Sequence, residues 1–174
     1  MKNTVTSERS NDRLLSDIFL ELVPGLTPVV ASSLASASEP RNYHASDLII
    51  SEGEPSTGIF LLASGTVRSV VSKKLPGAKK ELNLQQITAP AVLGMTAAML
   101  GQPSAVGIMA LTLTETAFIP HLEFLRVLAQ FPQTGLAFSQ LMASELAHTY
   151  SRLSQLRSNA RSARCDCHRR LTSA

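Results

Sequence analysis

Between Arg41 and Ile119 the apolar residues come in short runs: Leu48–Ile50, Ile59–Ala63, Thr66–Val71, Leu82–Ile87, Val106–Leu113 and Thr116–Ile119. Gly, Pro, Ser and Asn break them at intervals of about ten residues, a rhythm that suits strands crossing a sandwich or barrel and turning back. Such runs are too short to build amphipathic helices, so this stretch is expected to be all β. Ser64-Gly65 is expected to close a tight hairpin, and Gly53 within SEGEP to occupy a turn that needs a positive φ. Polar KKLPGAKKE reads as an exposed hairpin with solvated lysines.

Helical spacing brackets the β region. Leu14, Leu15, Ile18 and Phe19 start it, and Thr27-Pro28, after the Pro24-Gly25 turn, reads as an N-cap with proline in the first turn of a helix through Val29, Val30, Leu34 and Ala37. Downstream, His121–Gln130 carries Leu122, Leu125, Leu128 and Ala129 on one face, with Pro132 closing it. Met142, Leu146, Thr149, Leu153, Leu156 and Ala160 then follow at intervals of 4-3-4-3-4, the spacing of a coiled-coil seam. A helix of roughly 28 residues spans about 40 Å, longer than a small β domain needs for cover. Part of the seam is therefore expected to meet a second copy of the chain, the alternative being a stripe that packs on its own barrel. This divides the chain into a lead (1–17), a β domain (18–131), a dimerisation helix (132–162) and a basic tail (163–174).

Composition narrows the classes. With 174 residues, 44% hydrophobic and 17% charged, the chain is sized and patterned for one buried core. The net charge of +3 is unevenly placed: Arg152, Arg157, Arg161, Arg164, Arg169 and Arg170 oppose only Asp166 in the last 23 residues, leaving ten basic against twelve acidic groups elsewhere. No apolar run reaches membrane length and the opening MKNTVTSERSNDR is polar, so a cytoplasmic protein without a membrane partner is expected. Cys165 and Cys167, one residue apart, cannot staple the body.

Catalytic signatures are sparse. Cupin-type metal chemistry needs a His-x-His pair with further ligands, whereas His44, His121, His148 and His168 are scattered. Cys165-Asp166-Cys167-His168 clusters a thiol pair, a carboxylate and an imidazole near arginines that favour thiolate, but lacks a second ligand pair. Neither a nucleophile elbow nor a P-loop occurs. The chain is expected to be no enzyme and to carry no cofactor.

The order of elements, with FLELVPGLTPVVASSLASASEPRNYHASDLIISEGEPSTGIFLLASGTVR, VLGMTAAMLGQPSAVGIMALTLTETAFIP and FPQTGLAFSQLMASELAHTYSRLSQL, resembles the effector half of Crp/Fnr-type bacterial transcription regulators over about residues 18–160. The resemblance implies a cyclic-nucleotide-binding jelly roll with short N-terminal helices and a long C-terminal dimerisation helix. It also implies a phosphate-binding cassette of Gly-Glu, a short helix, then Arg and Ser or Ala. Laid on this chain, the cassette falls on Gly94, Met95, Thr96 and Ala97, then on Ser104 and Ala105, so that Met95 replaces the glutamate and Ser104 the arginine. A cyclic phosphate would be left without its fixed cation, which argues against ordinary cAMP or cGMP binding. Met95, Ala97, Ala98, Met99, Ala105 and Val106 would instead line a small apolar pocket for an uncharged or apolar effector, or one filled by its own side chains. Family hydroxyls that reach the ligand across the dimer fall near Thr149 and Tyr150, and the interface on Met142, Leu146, Thr149, Leu153 and Leu156. RSARCDCHRRLTSA resembles the first turns of the family's winged-helix domain, so DNA contact is expected only where that domain is supplied. A stand-alone module acting through mixed dimers is the alternative.

Overall fold

The computed structural model describes residues 14–75 and 78–171, with side chains at 14–72, 81–151 and 154. Helices α1 (residues 14–22) and α2 (Pro28–Ser36) come first. Strands β1 (Glu39–Tyr43), β2 (Leu48–Ile50), β3 (Gly58–Ser64), β4 (Thr66–Leu75), β5 (Ala78–Thr88) and β6 (Ala91–Leu93) lead to helix α3 (Met95–Leu100). Strands β7 (Gly107–Ala110) and β8 (Thr114–Pro120) then precede α4 (His121–Gln130) and α5 (Pro132–Leu171). The described strands form two four-stranded sheets, ordered β1-β8-β3-β6 and β2-β7-β4-β5, and every pairing is antiparallel. The spacing of the runs led to the expectation of an all-β sandwich or barrel, and the family resemblance to that of a jelly roll, which is the fold observed.

Packing follows from which faces each sheet must hide. Phe60, Leu62, Leu93 and Phe118 from the first sheet meet Ile49, Val67, Ile108 and Ala110 from the second in one core. Ile59, Leu61, Ala117 and Ile119 point the other way, yet are at most 2% exposed. On that side α4 packs on β3 and β8, and α2 on α4. Covered on both faces, β3 needs an unbroken apolar run, and IFLL supplies it.

Several boundaries depart from the sequence reading. Ser64-Gly65 joins strands of different sheets, so it is a corner between layers and not a hairpin; β4 pairs instead with β5 and β7. The hairpin expected at KKLPGAKKE does join β4 to β5, although residues 76 and 77 lie outside the described residues. Polar β1 (EPRNY) and short β6 carry no apolar run long enough to be recognised as strands. On α4 the buried residues are Phe124 and Val127, whereas Leu122 is 77% exposed and Leu125 39% exposed. Pro132 opens α5 as well as ending α4, and α5 continues past residue 162 into the arginine-rich segment. Thr27 sits at the α2 N-cap without a side-chain bond; Pro28 and the Ala31 N–H to Thr27 carbonyl bond (3.0 Å) form the first turn. The chain divides into two compact units, one ending at Ala137 and the other beginning at Phe138.

Candidate functional site

Three backbone features build the site, all within the first unit. Gly53, at φ +79°, turns the loop between β2 and β3. Its N–H donates to the Ser104 carbonyl (2.7 Å), and the Ser104 N–H returns a bond to the Glu54 carbonyl (2.9 Å), with Pro55 and Pro103 bridged beside them. The β2–β3 loop is thereby tied to the loop that follows α3. Glu52 fixes the same loop to β4 by accepting the Ser72 N–H at 2.6 Å. Gly94 caps α3 in the left-handed region at φ +78°; a Cβ there would come 3.0 Å from Ile50 Cδ1 and 3.2 Å from the Gly58 carbonyl, so glycine is needed for both angle and space.

A cavity of about 170 Å³ opens between these parts. Ile49, Ile50 and Phe60 give its apolar wall; Ser51, Glu54, Ser56 and Thr57 come from the β2–β3 loop, and Arg41 from β1. Gly94, Ala97 and Ser104 close it from the cassette side. Ser104 is 7% exposed, and its hydroxyl donates to the Val106 carbonyl at 2.8 Å.

Of the residues singled out from the sequence, Gly94, Ala97 and Ser104 line this cavity. Met95 and Ala98 are buried but do not line it, nor do Met99, Ala105 and Val106; Thr96 and Ala105 are exposed. The wholly apolar methionine–alanine lining expected from the sequence is therefore replaced by a mixed wall. Its polar members are Ser104 and the residues from β1 and the β2–β3 loop. Thr149 and Tyr150 lie on α5 in the second unit, exposed, with the Thr149 hydroxyl donating to the Glu145 carbonyl at 2.9 Å. Met142 is half-buried and Leu146 is 53% exposed, while the side chains of Leu153, Leu156 and Ala160 and those of Cys165, Cys167 and His168 lie outside the described residues. Among the described residues no group of three metal-ligating side chains converges.

Arg41 went unrecognised in the sequence. Its guanidinium carbon lies 3.6 Å from the centre of the Phe118 ring and 5.9 Å from that of Phe60, and Nη2 donates to Glu39 Oε2 at 3.2 Å. Register explains the placement: Arg41 pairs with Thr116 and Glu39 with Phe118, and Phe118 pairs in turn with Phe60, so Glu39 and Arg41 share the face that carries the core phenylalanines. The readable signal was the i, i+2 alternation of Glu39, Arg41 and Tyr43, hidden because it is polar.

A family model for the cyclic nucleotide-binding domain matches residues 40–131. No curated protein matches the chain. Among solved structures, a cyclic nucleotide-binding domain from Methylobacillus flagellatus superposes with a TM-score of 0.69 at 18% identity, covering 84% of this chain and 83% of its own. The sensor domain of the transcriptional regulator DNR from Pseudomonas aeruginosa gives 0.64 at 19% identity, covering 83% and 94%. The catabolite activator protein of Thermus thermophilus gives 0.65 at 20% identity over 80% of this chain, which spans 62% of that longer protein. With the jelly roll, the glycine-capped α3 and the family match over more than half its length, the chain belongs to the cyclic nucleotide-binding domain family.

Proposed function

We propose that the chain is the sensor module of a Crp/Fnr-type transcription regulator, cytoplasmic and non-enzymatic, which dimerises through α5 and does not take cAMP in the usual way. The reading rests on the cassette as the family resemblance lays it on this chain, with Ser104 at the arginine position; the observation that supports it is that the Ser104 hydroxyl, on the cavity wall, is spent on the Val106 carbonyl. A phosphate placed there would have no fixed cation from the cassette, and an unpaired buried charge costs several kcal/mol. Likeness of fold to the DNR sensor domain and to the Thermus activator supports the regulatory reading. Leu146 and Tyr150, 53% and 63% exposed on α5, support a second copy along the helix. Ligand occupancy would then act through the spacing of the two long helices.

Calorimetry with cAMP and cGMP tests the first part: no binding heat is expected at millimolar nucleotide, and saturable heat would refute it. Sedimentation tests the second. A dimer is expected for the unaltered chain and a monomer for Leu153→Arg combined with Leu156→Arg, because each places a cation in the seam. A dimer that survives both substitutions would remove α5 as the interface.

A further inference from the structure

The cavity has a chemistry of its own, separate from the vacant cassette charges. At about 170 Å³ it is smaller than the roughly 300–1,000 Å³ of pockets for drug-sized ligands. Volume therefore favours a guest well below nucleotide size. Arg41 is the one cation on its wall. Stacked over Phe118, the guanidinium is shielded from water on one face and held in orientation. Only Nη2 is engaged, by Glu39; Nε and Nη1 have no partner among the described residues. The Glu39 pair is solvent-exposed, 39% and 61% for the two side chains, so it holds Arg41 weakly and leaves its fork available. Nη2 keeps a second N–H, which with that of Nη1 or Nε makes a planar fork that fits a carboxylate in two parallel bonds.

The remaining wall defines the other groups of the guest. Glu54 is the one carboxylate lining the cavity and forms no ion pair among the described residues. Exposed at the mouth of the cavity, it is solvated when the cavity is empty and can accept a hydrogen bond from a donor on the ligand. The Ser51 and Thr57 hydroxyls likewise have no partner among the described residues, and Ile49, Ile50 and Phe60 offer an apolar surface. Resting on the reading of the chain as a sensor, we propose that this cavity binds a small carboxylate with an adjacent amine or hydroxyl and a short aliphatic body. Its carboxylate sits on Arg41 and its donor faces Glu54. The anion-holding role thus lies on strand β1 and not at the cassette position of Ser104. An inward-pointing charge on an edge strand also discourages edge-to-edge pairing, and that role alone would make Arg41 indifferent to ligand.

Calorimetry and thermal shift on the full chain with leucine, 2-hydroxyisocaproate and isocaproate separate these possibilities, because the three share one body and differ only in the donor. Saturable binding at about millimolar affinity is expected for leucine or its hydroxy analogue, with isocaproate weaker by about tenfold or more. Arg41→Gln should abolish binding and Arg41→Lys, which keeps the charge but loses the fork, should weaken it about tenfold. Glu54→Gln should weaken leucine more than the hydroxy acid, which identifies the amine as the recognised donor. Silence towards leucine and its hydroxy analogue, or binding that Arg41→Gln and Arg41→Lys both leave intact, would overturn the proposal. The sensor reading would survive that outcome if the chain remained dimeric and blind to cAMP; a chain that bound cAMP tightly would fail the earlier reading instead.

Discussion

At the scale of single residues, Gly53 and Gly65 occupy similar backbone angles, φ +79° and +94°, but differ in what surrounds them. A Cβ on Gly53 meets nothing within 4 Å, whereas on Gly65 it would lie 2.6 Å from the Leu113 carbonyl and 2.7 Å from Thr114 Oγ1. Gly53→Ala is expected to cost about 1–2 kcal/mol, the strain of a left-handed alanine. Gly65→Ala adds overlap with main chain that cannot swing away, so a loss of about 2–4 kcal/mol is expected. Thermal denaturation of both variants checks the order, and equal shifts in Tm would remove the crowding argument. From the sequence both glycines were legible as turns. What Gly65 abuts was not, because Leu113 and Thr114 lie almost fifty positions downstream and reach it only when β8 takes its place beside β3.

Among the elements, α4 holds the clearest lesson about apolar pattern. Leu122, Leu125 and Leu128 satisfy a helical period, and so do Phe124 and Val127. Period alone cannot choose between two stripes on one helix; the larger ring wins because β3 and β8 leave space for it. Phe124→Ala is therefore expected to lose about 3–5 kcal/mol, and Leu122→Ala to stay within about 0.5 kcal/mol. Chemical denaturation measures both, and a costly Leu122→Ala would show that the exposed leucine has a partner. The polar strand β1 was missed for a related reason. Its role comes from register against β8, and Glu39, Arg41 and Tyr43 give no hydrophobic signal of their own.

For the whole molecule, the spacing of runs in the sequence was enough to anticipate an all-β sandwich or barrel, because apolar spacing and turn residues are local; the jelly roll itself was implied only by the family resemblance. Which strands share a sheet depends on pairings such as β1 with β8 and β2 with β7, and these were beyond reach. The same held for the cavity, whose wall is drawn from β1, β2, the β2–β3 loop, β3, and α3 with its flanking residues Gly94 and Ser104. Cooperativity should follow the layering. Amides of β3 and β8, each paired on both sides, are expected to exchange most slowly, and those of edge strand β5 faster. Hydrogen exchange followed by mass spectrometry reads this directly; protection greatest in β5 would contradict the sheet order.

The clasp between Gly53 and Ser104 has a consequence for substitution at residue 104. Both of its bonds use the peptide group of residue 104 and leave the side chain out. Any residue except proline can make these two bonds, since only proline lacks the N–H, while burial of the position, 7% exposed in Ser104, limits the size of its side chain. The tie between the two loops thus does not depend on the chemistry of the side chain at 104, so a substitution of similar size can change what lines the cavity while the loops stay joined.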